Sequence, residues 1–451
     1  MRKIVRWGMA IGLLPSAFAV PGLVQAEDGE KTELRDRLRA VEDELALLRR
    51  QFEVGGEEAA RDRERSALVS ADSSGFQIRS RDGKSYRLRL RGYVQSDGRF
   101  FADGGDETTQ DTFTLRRVRP IFEGTLFEYA DFRIMPDFGG GSPSLQDAYL
   151  NLRPWTAVQL QAGKFKSPFG LERLQSGTAL TFIERGLPTE VAPNRDVGAM
   201  LHGSFREGLV TWQAMAGNGV QDAGSADVDG NDGKELVLRV FGHPFQETTI
   251  GPLQGLGFGF AASLGEQEGA PARYRTSGRN TFFRYGSSVV EDGNRVRWSP
   301  QAYWSWGSFG AMFEYVRSSP QLSLAGDAEI EPDIDAWQIA ASYVITGEAA
   351  SYRGVMPVKP FRGSKGGLGA WEVAARYHAL RVDDEVFDEG FASRTQSAES
   401  ARAWTVGVNW YLNPFVELSL DFDQTTFEDG GPNGGDRPTE SVILSRFQVA
   451  F

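Results

Sequence analysis

The stretch ARAWTVGVNWYLNPFVELSLDFDQ, residues 401–424, reads as two strands joined by a turn. Trp404, Val406, Val408, Trp410 and Leu412 fall on one parity, with Thr405, Gly407 and Asn409 on the other. After Asn413-Pro414 the alternation resumes, setting Val416, Leu418, Leu420 and Phe422 against Glu417, Ser419, Asp421 and Asp423. A period of two belongs to a strand whose faces meet different surroundings. Tryptophans at both ends of an apolar face of about eight to ten residues fit a strand that crosses a hydrocarbon layer between two aromatic girdles.

The same pattern recurs from residue 74 to the carboxy terminus. In DAYLNLRP, Ala148, Leu150 and Leu152 oppose Asp147, Asn151 and Arg153; in AWEVAARYHA, Trp371, Val373, Ala375 and Tyr377 oppose Glu372, Arg376 and His378. A soluble β-sandwich also alternates, so connection lengths decide. Counted from a first strand over 86–101, long polar connections alternate with short turns, as in an outer-membrane barrel with long external loops and short periplasmic ones. The chain ends on SVILSRFQVAF, whose outward parity holds Ile443, Phe447, Val449 and the terminal Phe451. The expectation is an all-β transmembrane barrel over 74–451.

Composition agrees. The 451 residues include 53 glycines, three histidines and no cysteine, which excludes disulfides, thiolate metal sites and cysteine nucleophiles. The net charge of −12 argues against nucleic acid as a partner. Residues 1–26 carry Arg2, Lys3 and Arg6, then an apolar core, then Val24-Gln25-Ala26, the three-part form of a secretory signal peptide. Residues 27–53 hold Leu34, Leu38, Val41, Leu45, Leu48 and Phe52 at alternating spacings of four and three, a heptad seam expected to form a parallel coiled coil, dimer or trimer. Arg37 and Glu44 face Glu42 and Arg49 of a neighbouring helix in that register, and both pairs attract. Residues 54–73 read as a polar linker. The histidines are scattered and the carboxylates concentrate in loops, so no enzyme, metal or cofactor site is expected.

Seven segments carry a resemblance: GYVQSDGRFF, LRRVRPIFEGTL, DAYLNLRP, GKFKSPFGLERLQSGTALTFIER, GAWEVAARYHAL, VGVNWYLNP and SRFQVAF. They are similar to the phosphate-selective porins O and P of Gram-negative outer membranes. The resemblance implies a barrel of 16 strands, a homotrimer, and a third external loop folded inward as the constriction. The long connection 167–198 is the third external one by length alone, so the two readings meet. The family's anion site, a lysine and two serines on that loop, falls here on Arg173, Ser176 and Gly177. Its paired arginines fall on Arg116 and Arg117, its first-strand arginine on Arg91 with Arg99 as the alternative, and the acidic partner of the loop cation on Asp147. A guanidinium in place of an ammonium puts strict phosphate preference in question, because the fork and the point charge bind oxyanions differently.

Parity extends the set. Arginine on the lipid face near the midplane costs about 2–4 kcal/mol. In SYRLRLRGYVQ, residues 85–95, Arg87, Arg89 and Arg91 therefore face the lumen while Leu88 and Leu90 face lipid. Arg117, Arg119, Arg133, Arg239, Arg376 and Arg446 are placed inside by the same rule. Several of these could serve only to brace the wall against Glu123, Glu372 and Asp421. The expected function is passive diffusion of small anions, phosphate or polyphosphate, across the outer membrane. Its partners are the anions, membrane lipid and lipopolysaccharide. A weakly selective general porin and a plugged structural tether or adhesin are the alternatives.

Overall fold

The computed structural model describes residues 27–72, 75–102, 110–324 and 328–451. The expected signal peptide lies outside the described residues.

Two compact units divide the chain at Ser66/Ala67. The first is one helix, α1 (Glu27–Arg65). Every apolar residue of the heptad seam is exposed on it, Phe52 to 81%. The helix runs through the front of the expected linker because Glu57-Glu58-Ala59-Ala60-Arg61 are good helix formers that outlast the Gly55-Gly56 pair. The rest of that segment is not a loop either: Leu68–Asp72 pairs with Gly75–Arg79 as a hairpin of the second unit.

The second unit is a closed antiparallel barrel of 16 strands. In chain order they are β1 (Tyr86–Phe101), β2 (Thr112–Leu126), β3 (Ala130–Asp137), β4 (Ser144–Leu152), β5 (Gln159–Lys166), β6 (Arg195–Phe205), β7 (Val210–Gly217) and β8 (Glu235–Gly242). They continue as β9 (Leu256–Gly269), β10 (Val289–Trp306), β11 (Phe309–Leu324), β12 (Ile334–Val344), β13 (Ala370–Val382), β14 (Ala398–Asn413), β15 (Val416–Asp429) and β16 (Glu440–Ala450). Each pairs with the next, and β16 pairs with β1, Val449 opposite Val94. β16 pairs with Tyr93–Phe101 of β1, and the hairpin strand Gly75–Arg79 pairs with Arg87–Leu90 of the same strand, so every barrel strand has a neighbour on both sides, as a span through hydrocarbon requires. No helix among the described residues is long and apolar enough to cross a membrane.

At the seam, Phe451 and Gly92 exchange backbone hydrogen bonds (2.9 and 2.8 Å). Beside them Arg446 of β16 grips Asp97 of β1 through two hydrogen bonds (2.8 and 2.7 Å), both side chains almost fully buried. Asp97→Asn leaves that guanidinium without its carboxylate, and breaking a buried pair costs about 3–5 kcal/mol. The expected result is a lower temperature for conversion of the folded to the unfolded band in an SDS gel. A transition at the wild-type temperature would show that the pair does not hold the seam.

The outer face is uneven. Seven of the chain's ten tryptophans, at 298, 304, 306, 337, 371, 404 and 410, lie on the outward parity of β10, β12, β13 and β14. Near one rim Trp298 meets Tyr315 (5.0 Å between centroids), Trp337 meets Tyr377 (5.5 Å) and Trp404 meets Phe422 (5.2 Å). Near the other, Trp371 stacks on Trp410 (5.0 Å). Two girdles therefore mark this side. The outward parity of β4–β7 carries one tryptophan, Trp212, together with small and aliphatic residues such as Ala148, Leu150, Ala162, Ala199, Leu201, Ala214 and Ala216.

Two connections break the alternation of long and short. At the rim that carries the carboxy terminus, 127–129, 206–209, 307–308 and 414–415 are tight, but 243–255 and 345–369 are not. The second turns into the barrel: Val355 and Ala350 are buried with Val344, Ala370 and Tyr411. Parity within strands says nothing about a connection, so only the folded chain reveals this.

Candidate functional site: a cationic lumen

The inward loop is Ser167–Asn194, between β5 and β6, shorter than expected because Arg195–Gly198 already pair with Lys166–Gly163. It contains two single-turn helices, α2 (Leu171–Leu174) and α3 (Pro188–Val191). The residue before α2 is Gly170, at φ 76°, which has no side chain to cap the helix. Glu314 of β11 supplies the missing acceptor from across the barrel, taking the N–H groups of Leu171 and Glu172, the latter at 3.2 Å.

The rest of the loop is tied to the same wall. Glu172 accepts from Gly186 N–H (2.8 Å) and the Gln338 side chain (3.0 Å) and faces Arg376 (3.4 Å). Asp421 accepts from Ile183 N–H (2.7 Å), Asn409 donates to the Thr181 carbonyl (2.8 Å), and His378 Nδ1 takes Leu187 N–H (3.2 Å). Inward positions of β11–β15 are thus consumed in holding the loop. On the opposite side Glu184 receives the Arg116 fork (2.6 and 3.1 Å), with Arg99 at 3.6 Å. Burial opposes the Glu184 carboxylate, but the Arg116 guanidinium outweighs it and holds the pKa well below the usual carboxylate range.

What remains open is a cavity of about 1300 Å³ along β1–β8 and the free edge of the loop. Its lining holds fourteen arginines and lysines against four carboxylates, Asp137, Asp147, Glu190 and Asp222, so the space is strongly positive although the chain is acidic. Arg91, Arg116, Arg117, Arg173 and Ser176, the five expected binding residues, all line it. Adjacent Arg116 and Arg117 share the inner face through a β-bulge: Gln95 pairs with Arg117 and Ser96 with Leu115, leaving Arg116 as the extra residue.

The cations divide into two classes. Arg91 pairs with Glu123 (3.0 Å), Arg119 with Asp137 (2.7 Å), Arg133 with Asp147 (3.1 Å) and Arg195 with Asp147 (2.8 Å). Arg116 pairs with Glu184 and Arg279 with Glu190, while the other eight make no ion pair among the described residues, and five of these eight are held by neutral groups. Arg117, 3% exposed, donates to Gln95 Oε1 (2.6 Å); Arg239 donates to Gln301 (3.1 Å) and Gln213 (3.2 Å). Lys166 reaches the carbonyls of Arg173 (2.7 Å), Leu174 (3.3 Å) and Gln175 (2.9 Å), the open end of α2. Arg185 donates to the carbonyls of Glu172 (3.0 Å) and Gln175 (2.9 Å), and Arg173 to that of Thr189. Burial and the neighbouring Arg185 push Arg173 down to about 9, still cationic at neutral pH. Buried cations without carboxylates are stabilised by an arriving anion, and dipolar partners leave each free to release it again.

Other expected lumen residues fare differently. Arg119, Arg133, Asp147 and Arg239 line the main cavity. Arg87 and Arg89 line a second cavity of about 530 Å³ with Glu123, Asp131 and Arg153. Arg99 sits beside Glu184 outside the main lining. Arg376 lies beneath the loop, its guanidinium 4.4 Å from the Phe182 ring centroid, and Arg446 is spent on Asp97. Both face inward, but covering side chains keep them from the cavity. Asp147 holds Arg133 and Arg195, not Arg173. Residues that parity missed include Lys166, Arg185, Arg195 and Arg353, along with Arg273, Arg275 and Arg279 of the loop after β9. The run ARYRTSGR, residues 272–279, was the visible signal for the last three, but a loop has no parity to say where it points.

Comparison with known proteins agrees with the barrel. The chain is 25% identical over 421 residues to Porin O of Pseudomonas aeruginosa, covering 85% of this chain and 92% of that one. The outer membrane channel DcaP of Acinetobacter baumannii superposes with a TM-score of 0.55 at 12% identity, over 84% of this chain and all of DcaP. An anion-selective porin from Comamonas acidovorans superposes with a TM-score of 0.52 at 12% identity, over 81% of this chain and all of that one. The family description "Phosphate-selective porin O and P" matches residues 88–451, the barrel from Leu88 near the start of β1 to the last residue, and the chain belongs to that family.

Proposed function

We propose that the protein is an outer-membrane channel for passive diffusion of small anions, phosphate or polyphosphate foremost. The observation that carries the reading is the surplus of lumen cations, five of which have only neutral partners: Arg117, Lys166, Arg173, Arg185 and Arg239. Arg91, Arg116, Arg117, Arg173 and Ser176 are the proposed binding set, with Arg116 also tethering the loop through Glu184. Gly177 offers no hydroxyl where the resemblance implies a second serine, and Arg173 offers a planar fork. Both favour acceptance of several oxyanions over strict phosphate selection.

The test is the reversal potential of single channels in a salt gradient. The expected sign is that of an anion-preferring pore, with chloride current blocked by added phosphate. A cation-preferring or unselective pore would overturn the proposal.

The assembly proposed is a homotrimer with the α1 seams joined as a parallel coiled coil on the periplasmic side, since every apolar residue of that seam is exposed on one chain. The tryptophan-rich side, β10–β14, is assigned to lipid and lipopolysaccharide, leaving the alanine- and leucine-rich side for neighbouring copies.

A further inference from the structure

The connection 345–369 enters the lumen from the rim opposite the external loops and ends against the constriction loop. Tyr352 is its point of contact. The phenol donates to the Leu171 carbonyl (2.5 Å), and the Tyr352 carbonyl accepts from the Gln175 side chain (2.8 Å). Next to it Gly354, at φ 97°, lies close enough to Ala179 that a Cβ there would stand 3.4 Å from the alanine methyl. The tyrosine is itself fixed, stacked on Tyr303 of β10 with centroids 4.9 Å apart and planes 5° apart. Tyr303 in turn is stacked on Phe241 (5.2 Å) and hydrogen-bonded to His243 (2.7 Å).

Leu171 and Gln175 flank Arg173 on both sides of α2. That one-turn helix is too short to hold itself in place: its start is capped by Glu314 and its end is tied by Lys166. Arg185 ties the Glu172 and Gln175 carbonyls, and the carbonyl of Leu171 is the one Tyr352 meets. We infer that Tyr352 is a positioning residue for Arg173, and that the 345–369 connection is the floor on which the anion-binding part of the constriction rests. Tyr352 does not touch the anion in this role. It holds the backbone from which the guanidinium is presented, so a small displacement there changes how the fork meets an oxyanion. The inference rests on the proposed binding role of Arg173.

A double-variant cycle tests it, with inorganic phosphate as the blocker of single-channel chloride current. Tyr352→Phe keeps the ring stack on Tyr303 and removes only the hydroxyl, so the barrel is undisturbed. Loss of one hydrogen bond is expected to raise the half-blocking phosphate concentration about two- to tenfold. In the Arg173→Ala background the same change is expected to add nothing, because the residue it positions is gone. Full additivity of the two effects, or a Tyr352→Phe channel with wild-type block, would overturn the inference while leaving the channel reading intact. A wild-type channel that phosphate does not block at all would overturn the binding role of Arg173 and this inference with it.

Discussion

Arg117→Ala is expected to raise the phosphate concentration that half-blocks chloride current by about ten- to a hundredfold, the equivalent of about 1.5–3 kcal/mol for a hydrogen bond to a charged group. The reason is local. Arg117 is 3% exposed, it lines the cavity, and its one hydrogen-bond partner there is the neutral Gln95 carboxamide. An anion that reaches it meets a desolvated charge that nothing in the wall has compensated. Arg117→Lys keeps the charge but loses the fork, so partial recovery is expected. Arg116, its neighbour across the bulge, makes a poor comparison, because removing it also releases Glu184 and the loop. Single-channel block curves decide the matter: wild-type affinity in Arg117→Ala would remove this residue from the binding set.

The other large effect is expected at Glu172. Glu172 is about 1% exposed and its carboxylate sits where loop meets wall, receiving Gly186 N–H and Gln338 while facing Arg376. Glu172→Ala strips two attachments to the wall and one bond within the loop, and leaves Arg376 buried beside Phe182 without its carboxylate, a loss of about 3–5 kcal/mol for a broken buried pair. The barrel itself is closed by sixteen backbone ladders and stays intact. The free energy comes out of the docking of the loop. Unit conductance is therefore expected to rise severalfold, with the current flickering as the loop leaves and regains the wall. Glu172→Gln keeps the hydrogen-bond acceptor for Gly186 and is expected to fall between. A quiet channel of wild-type conductance in Glu172→Ala would mean that Glu314, Asp421, Asn409 and His378 suffice to hold the loop.

The segments with the clearest alternation are legible in the sequence because their side chains answer to one rule. Leu88 against Arg87 and Arg89, or Val406 against Thr405, sort to opposite faces of a two-solvent wall whatever the neighbouring strands do. The bulge at Arg116 is where that rule stops, since an extra residue resets the parity and brings two adjacent arginines to one side. Arg376 and Arg446 show a different limit. Parity placed both inside, yet one is roofed by the constriction loop and the other is paired across the seam. Asp147 is a third case: an acid near several cations cannot name its partner until the strands are in register, and the register set it between Arg133 and Arg195.

Residue order alone is enough for the barrel, for the long connection between β5 and β6 and for a set of arginines kept off the lipid face, whereas the inward fold of that connection is implied by the family resemblance and two connections, 243–255 and 345–369, depart from the expected alternation. The first three follow from local periodicity and from charges that hydrocarbon excludes, and both are properties of residues counted along the chain. Which cations stay without a carboxylate is set by the folded chain. Neutralisation depends on contacts between positions far apart in sequence, such as Arg116 with Glu184, Glu314 with the start of α2, and Tyr352 beneath Leu171. No spacing in the chain encodes these, because they exist only once the wall has closed around a loop that folds back into it.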